Sequence, residues 1–456
     1  MGKYKGLMFK VATFVIVLSS LAMVLVIYIS LRHDIKENDR KGAIVIKVNS
    51  LEEDSAIISE LATDMIKEEG ATGEIKTNDH IYHFNTKAFT KGVILLDSEG
   101  VMNLKIEETL RHMTLEEKVA QMFFVGVDGI SGVKGTLNVD DKFKEKLHDF
   151  PVGGVIIFGK NISSEDQLKK LNADLMAEGT LKNIPLFIGI DEEGGSITRI
   201  SSKEGFDDIK NVGDMKNIGN SGDLHNSYDA AVYIADYLKE YNINLDFAPV
   251  ADINSNPKNP IIGDRAFGSD PKEVSDMVEA FRKGLNDEGV ASCIKHFPGH
   301  GDTETDSHKG IAVSNRTLDE LKENEFVPYY RAIENDVDMI MVAHICVPKV
   351  TGDQTPASLS KIVVTDILRN ELGYDGVVIT DAMDMKAITD YYGQGEAARL
   401  AVDAGCDFIL ESQVCGEAYN TVLGAVYAGE ISEERIDQSV RRILRLKYKY
   451  NKEVFE

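Results

Sequence analysis

From about residue 104 onward, short apolar runs alternate with amphipathic stretches. Eight such runs occur in turn, at 120–127, 152–158, 185–190, 245–251, 290–294, 339–344, 376–380 and 407–410. They are rich in Val, Ile and Phe and bounded by Gly, Pro or Asp, as strands buried on both faces should be. Helical patterns lie between most of them. Ser164 with Glu165 and Asp166 reads as an N-cap with an acidic first turn. Asp270-Pro271 opens another helix with proline at its first position. Further helices are expected over 317–333, 360–372, 395–404 and 431–448, the last ending basic. Eight strands alternating with helices predict an α/β fold of the (β/α)8, TIM-like class. A doubly wound open sheet is the runner-up. No Gly-x-Gly-x-x-Gly turn follows the first strand, which weakens a dinucleotide-binding version.

The N-terminus breaks this pattern. Residues 11–31 run for 21 positions without a charge, behind Lys3, Lys5 and Lys10. That length matches one crossing of a hydrocarbon core, and the lysines should keep the short tail on the cytoplasmic side. The expectation is a transmembrane helix over 1–32, single-pass in the cytoplasmic membrane, with the rest of the chain extracellular. Secretion after signal cleavage is the alternative, and it would call for a shorter apolar region and a small-residue cleavage site. Residues 33–104 are charged and poor in motifs and read as a stalk or small accessory region. In it 42–48 and 92–96 are expected as strands and 55–67 as a helix. The barrel then occupies 105–456.

Composition changes this picture little. An apolar content of 43% is ordinary for a globular chain and rules out wholesale disorder. The net charge of −25 argues against a nucleic-acid partner. The four cysteines, Cys293, Cys346, Cys406 and Cys415, form no Cys-x-x-Cys pair, and so few in so long a chain do not make a disulfide framework.

The chemistry is concentrated where the strands end. Polar residues follow the third run (Asp191, Glu192, Glu193), the fourth (Asp252), the fifth (Lys295, His296), the sixth (His344) and the seventh (Asp381, Asp384). In a barrel these ends converge on one mouth. The densest stretch is 295–308, Lys-His-Phe-Pro-Gly-His-Gly-Asp-Thr-Glu-Thr-Asp-Ser-His. Asp306 stands two residues before His308, close enough to hold an imidazole in one tautomer and support its charged form. His300, Asp302, Asp306 and His308 could instead ligate zinc, but their spacing matches no standard signature, so no metal is expected. Asp381 could act as nucleophile, base or ligand; from position alone it could equally cap a helix or face solvent. Asp191-Glu192-Glu193-Gly194-Gly195 joins acids to a turn open to close backbone approach. Arg199 stands nearby, and Arg265 lies in a long loop after the fourth strand, where loops are often functional.

Taken together, 295–308, 191–195, 263–268 and Thr380-Asp381-Ala382-Met383-Asp384-Met385 resemble family 3 glycoside hydrolases, and more narrowly their β-N-acetylglucosaminidase branch. The resemblance covers about 105–450. It implies a retaining exo-acting hydrolase of terminal β-linked N-acetylglucosamine, working on oligosaccharides or muropeptides of the cell wall without a cofactor. Asp381 would form the covalent glycosyl-enzyme, and His308, oriented by Asp306, would serve as acid and then base. Asp191, Arg199, Arg265, Lys295 and His296 would bind the sugar hydroxyls and the acetamido group. One departure stands out: Ser196 follows the Gly-Gly pair where the family usually has arginine. A phosphorylase, with phosphate replacing water, and a non-catalytic sugar-binding protein are the alternatives. Histidine in place of a carboxylic acid favours the former, because it does not repel an anionic acceptor.

Overall fold

The computed structural model describes residues 12–18, 23–29, 44–49, 72–76, 81–85, 93–96, 98–181, 184–305, 310–411 and 416–450. They fall into two compact units, Met1–Arg111 and His112–Glu456.

In the first unit, Ala12–Leu18, Met23–Ile29, Ile44–Asn49 and Val93–Leu96 form an antiparallel four-stranded sheet in that order. Thr72–Lys76 and Ile81–Asn85 pair separately. Within the charge-free run at 11–31 the described residues form two strands, Ala12–Leu18 and Met23–Ile29, and the expected transmembrane helix is not confirmed there. Both halves are dominated by Val, Ile, Thr and aromatic residues, which suit a pleated surface better than a helix. Among the described residues no helix is long and apolar enough to cross a membrane. The strands expected near 44 and 93 lie at Ile44–Asn49 and Val93–Leu96, whereas the helix expected over 55–67 lies outside the described residues.

The second unit is built on eight parallel strands. We label them β1 (Phe123–Gly126), β2 (Gly154–Ile157), β3 (Phe187–Ile190), β4 (Leu245–Asp246), β5 (Ala291–Phe297), β6 (Met339–Val342), β7 (Val377–Thr380) and β8 (Ile409–Glu411). From β1 to β7 each pairs in parallel with the next, and β8 pairs with β1. A parallel bridge from Ile379 to Phe408 links β7 to the start of β8, so the sheet is a nearly closed barrel. The interior is a packed core. Phe124 meets Phe247 and Phe408 edge to face at centroid distances of 5.3 and 5.5 Å. Its ring fits because β2 offers Gly154, whose added Cβ would lie 2.2 Å from it. Fully burying such a side chain contributes roughly 1.5–3 kcal/mol.

The helices follow the expected signals. Ser164 caps Glu165–Gly179, and Asp270 caps Pro271–Asp287. The single helix expected over 317–333 is broken into Leu318–Glu323 and Val327–Glu334. Pro328 in the first turn of the second helix lacks the N–H that a continuous helix would need. The break turns Glu325 and Phe326 into the protein, where both are buried.

At the strand N-termini the buried acids serve the scaffold. Asp338 accepts from Ser292 and Asn286, and Asp407 from Ser439 and Arg369. The C-terminal ends carry the site.

Candidate active site

The loop leaving β3 supplies Asp191, Glu192 and Glu193. Lys295, buried near the end of β5, donates to Asp191 Oδ1 at 2.9 Å and lies 2.7 Å from Glu193 Oε1. Arg199 donates to the other oxygen of Asp191 at 3.2 Å. Arg265 grips Glu193 with two parallel hydrogen bonds, Nε to Oε2 at 2.8 Å and a terminal nitrogen to Oε1 at 2.7 Å. A third N–H of Arg265 goes to the Ile261 carbonyl. Burial opposes the charge on Glu193, but Arg265 and Lys295 outweigh it and hold the carboxyl well below the usual range. The converse holds for Lys295: burial would lower it, and Asp191 and Glu193 together raise it. Glu193, Lys295 and Arg265 thus hold one another in their charged forms. The cluster leaves Asp191, partly exposed and held between two cations, presenting acceptor oxygens to the mouth.

Glu192 faces the scaffold. Its carboxylate accepts the backbone N–H groups of Arg199, Ile200 and Ser201 at 2.6, 3.0 and 2.9 Å, and the Tyr237 hydroxyl at 2.9 Å. These bonds fix the loop from which Arg199 reaches Asp191. The turn at Gly194 and Gly195 has positive φ at both residues, and Asn211 closes it by bonding Gly195 at both N–H and C=O.

The register of β5 against β6 shifts between Lys295 and Phe297. In a regular strand Lys295 and His296 would face opposite ways, and an irregularity of this kind re-aims side chains. His296 Nδ1 donates to Asp252 Oδ2 at 2.6 Å, and Asp252 Oδ1 accepts the backbone N–H of His300 at 2.6 Å. Burial raises the Asp252 carboxyl, but His296 and His300 override it and the net shift is downward. His300 is lowered by burial and lies 2.7 Å from Thr303 Oγ1 through Nδ1. The chain then enters 306–309, so Asp306 and His308 lie outside the described residues.

Asp381 follows β7. Its backbone N–H donates to the Val342 carbonyl of β6 at 2.9 Å, and its Oδ1 accepts the Ala382 N–H at 2.8 Å. Two residues on, Met383 N–H donates to the Leu410 carbonyl of β8 at 2.9 Å. His344 is buried behind this segment. Nε2 donates to the Ala382 carbonyl at 3.0 Å, which leaves Nδ1 to accept from Ser358 Oγ at 2.7 Å. Burial lowers its pKa, in keeping with a neutral ring in that tautomer. At the end of β8, Glu411 is buried without a hydrogen-bond partner among the described residues, and burial and then Asp384 push its carboxyl up to about 8.

Asp191, Arg199, Arg265, Lys295 and His296 thus stand at or beside the strand ends, the first four joined through one ionic cluster that includes Glu193. Asp381 stands at the end of β7, and its charge reaches His300 and His344. The pairing of Arg265 with Glu193 and the support of Asp381 by His344 had no local signal. Only the polar character of Glu193 and His344 at strand ends pointed to them. Among the described residues no group of three or more His, Cys, Asp or Glu is placed to hold a metal ion. Cys293, Cys346 and Cys406 are buried free thiols, and Cys415 lies outside the described residues.

Comparison with known proteins identifies the family. The family model described as the glycosyl hydrolase family 3 N terminal domain matches residues 114–446. A β-hexosaminidase A of Pseudoalteromonas piscicida is 33% identical over 330 residues, covering 68% of this chain and 55% of that protein. A β-hexosaminidase of Thiobacillus denitrificans is 36% identical over 281 residues, covering 61% and 76%. A solved family 3 β-N-acetylglucosaminidase from Paenibacillus sp. str. FPU-7 superposes with a TM-score of 0.69 at 40% identity, over 75% of this chain and 64% of that one. The chain therefore spans about half the length of the first of these relatives and under two thirds of the Paenibacillus protein.

Proposed function

The chain belongs to glycosyl hydrolase family 3, and on that premise we propose that it is a retaining exo-β-N-acetylglucosaminidase. The observation that carries the proposal is the Asp191 carboxylate, held between Lys295 and Arg199 at the mouth where Asp381 ends β7. A carboxylate fixed in this way accepts hydrogen bonds from adjacent sugar hydroxyls. Lys295, with its charge shared between Asp191 and Glu193, donates to a further hydroxyl. His296, oriented by Asp252, directs Nε2 to the same sugar. The names of the relatives support an N-acetylhexosamine in this position.

In the first step Asp381 attacks the anomeric carbon while His308, oriented by Asp306, protonates the departing glycosidic oxygen. In the second, neutral His308 takes a proton from water, which displaces Asp381 from the same carbon. Two inversions give net retention. The conjugate acid and base forms of an imidazole both exist near neutral pH, so one residue can serve both steps.

The natural substrate in this reading is a cell-wall fragment met outside the cytoplasm. Its support is the strongly apolar, charge-free run at 11–31 behind three lysines, a composition suited to membrane attachment. Resistance of the full chain to alkaline extraction from membranes tests that attachment, and free release into the supernatant removes it.

The activity is tested with nitrophenyl β-N-acetylglucosaminide against the matching β-glucoside, with and without phosphate. Release from the acetamido sugar alone supports the reading. A sugar phosphate among the products makes the protein a phosphorylase. No release from either sugar, with binding intact, makes it a sugar-binding protein.

A further inference from the structure

We infer that Glu325 is a positioning residue for His296: it seats the turn 296–300 on which the imidazole is carried. The inference rests on the reading of His296 as a ligand of the terminal sugar.

The ladder between β5 and β6 does not fix His296. Lys295 pairs with Met341 and Phe297 with Val342, consecutive residues of β6, so His296 falls in the irregularity between them. Its place therefore depends on what holds the chain just beyond it. Asp252 ties the two ends of the turn, accepting from His296 Nδ1 and from the His300 N–H, each at 2.6 Å. Within the turn the Gly299 N–H donates to the His296 carbonyl at 2.8 Å. Gly299 has a φ of 119°, a conformation that favours glycine.

The middle of the turn is held from the break between Leu318–Glu323 and Val327–Glu334. Phe326 stacks on Phe297 with ring centroids 5.1 Å apart, and Tyr329 meets the same ring edge to face, also at 5.1 Å. Glu325 covers Gly299: a Cβ there would lie 2.3 Å from Glu325 Cγ and 2.6 Å from its Cβ. Glu325, Phe326 and Tyr329 are all buried. The break that turns Glu325 and Phe326 inward thus packs them against the residues on either side of Pro298.

Glu325 makes this contact through its stem. Neither carboxylate oxygen has a hydrogen bond among the described residues, and the ion pair to Arg316 spans 3.2 Å from Oε1 to Nε. Burial pushes the carboxyl up to about 7, with Arg316 drawing it back. A buried carboxyl without hydrogen bonds adds little to stability. Its methylenes fill the space against Gly299, and without them a cavity would open into which the turn can relax. His296, unfixed by the ladder, would then lose its aim at the sugar.

The test uses the full chain, with nitrophenyl β-N-acetylglucosaminide for kinetics, calorimetry with N-acetylglucosamine for binding, and thermal unfolding in parallel. H296A is expected to raise KM and Kd by about tenfold with kcat little changed, as when a contact made equally in the ground and transition states is lost. E325A should do the same to a similar extent. E325Q, which keeps the stem, should stay close to wild type. The double variant H296A/E325A should be no worse than H296A, because Glu325 acts through the imidazole. An E325A that unfolds more easily but keeps the wild-type KM makes Glu325 purely structural and overturns the inference. Losses that multiply in the double variant overturn it too, as does an E325Q as impaired as E325A. An unchanged KM in H296A removes His296 from sugar binding and takes the inference with it. A wild type that neither binds nor cleaves the sugar removes the functional reading itself. Should E325A fail to fold, Glu325→Asp, one methylene shorter, replaces it in both comparisons; a smaller rise in KM is then expected, and a wild-type KM overturns the inference.

Discussion

Lys295 and Asp191, 104 positions apart in the chain, meet at 2.9 Å, with the ammonium group buried and the carboxylate at the mouth of the barrel. The same ammonium lies 2.7 Å from Glu193. One cation on β5 therefore fixes two acids of the β3 loop, and the ligand-facing orientation of Asp191 depends on it. Lys295→Met should raise KM and lower kcat/KM for the acetamido glycoside by about a hundredfold or more. It should also cost roughly 3–5 kcal/mol of stability, since removing one partner of a buried pair strands the other. Steady-state kinetics with chemical denaturation checks both. Unchanged KM would remove Lys295 from sugar binding and leave it a purely structural ion.

Asp381 is held by backbone bonds: its N–H is held by β6, and its carboxylate accepts from Ala382. Asp381→Ala should therefore leave the fold and sugar binding intact while turnover falls more than about a thousandfold. Mass spectrometry of acid-quenched wild-type enzyme with a slow substrate should show the mass of one glycosyl unit added. The variant should show none. Binding measured by calorimetry with N-acetylglucosamine should persist in both. An adduct on the variant would move the nucleophile elsewhere.

His344 supports the same segment from behind. Its replacement by alanine leaves the Ala382 carbonyl and the Ser358 hydroxyl without their partner, at a cost of about 1–3 kcal/mol. kcat should fall by about tenfold through displacement of Asp381, with KM little changed. His344→Gln, which keeps a donor near Ala382, should recover part of the loss. A KM effect without a kcat effect would place His344 in substrate binding instead.

The barrel was legible because β-branched and aromatic runs recur with helical spacing between them, and the third to seventh strand ends are marked by polar residues. The ends of the runs were less so. The ladder of β4 stops at Asp246, well short of the apolar run, where Pro249 has no N–H to give. The break at Pro328 was likewise hidden beneath a continuous amphipathic pattern. Asp191, Arg199, Arg265, Lys295 and His296 were identifiable through family motifs. The clamp of Arg265 on Glu193 joins residues 72 positions apart, and no local pattern encodes such a contact. At 11–31 length and lack of charge suggested a helix, while the β-branched content that favours strands carried no weight in that argument.

Glu411 gives a prediction whose sign can be worked out. Its carboxyl is buried at the end of β8 without a hydrogen-bond partner among the described residues, and burial, with Asp384 adding to it, raises its pKa to about 8. In the unfolded chain it titrates near the ordinary value of 4.5. A raised acid favours the native state fully below the unfolded value, where both states are protonated. As pH rises, the unfolded chain ionises first, and stability drains away until the folded pKa is passed. The loss is about 1.4 kcal/mol per pH unit within that window. Glu411→Gln keeps the shape and cannot ionise. The variant should match wild type near about pH 4.5, gain on it steadily as pH rises, and hold a constant advantage above about pH 8. Thermal unfolding across that range decides the matter. Parallel curves for the two proteins would mean that Glu411 ionises in the folded state as it does in water, and that its carboxylate is stabilised there.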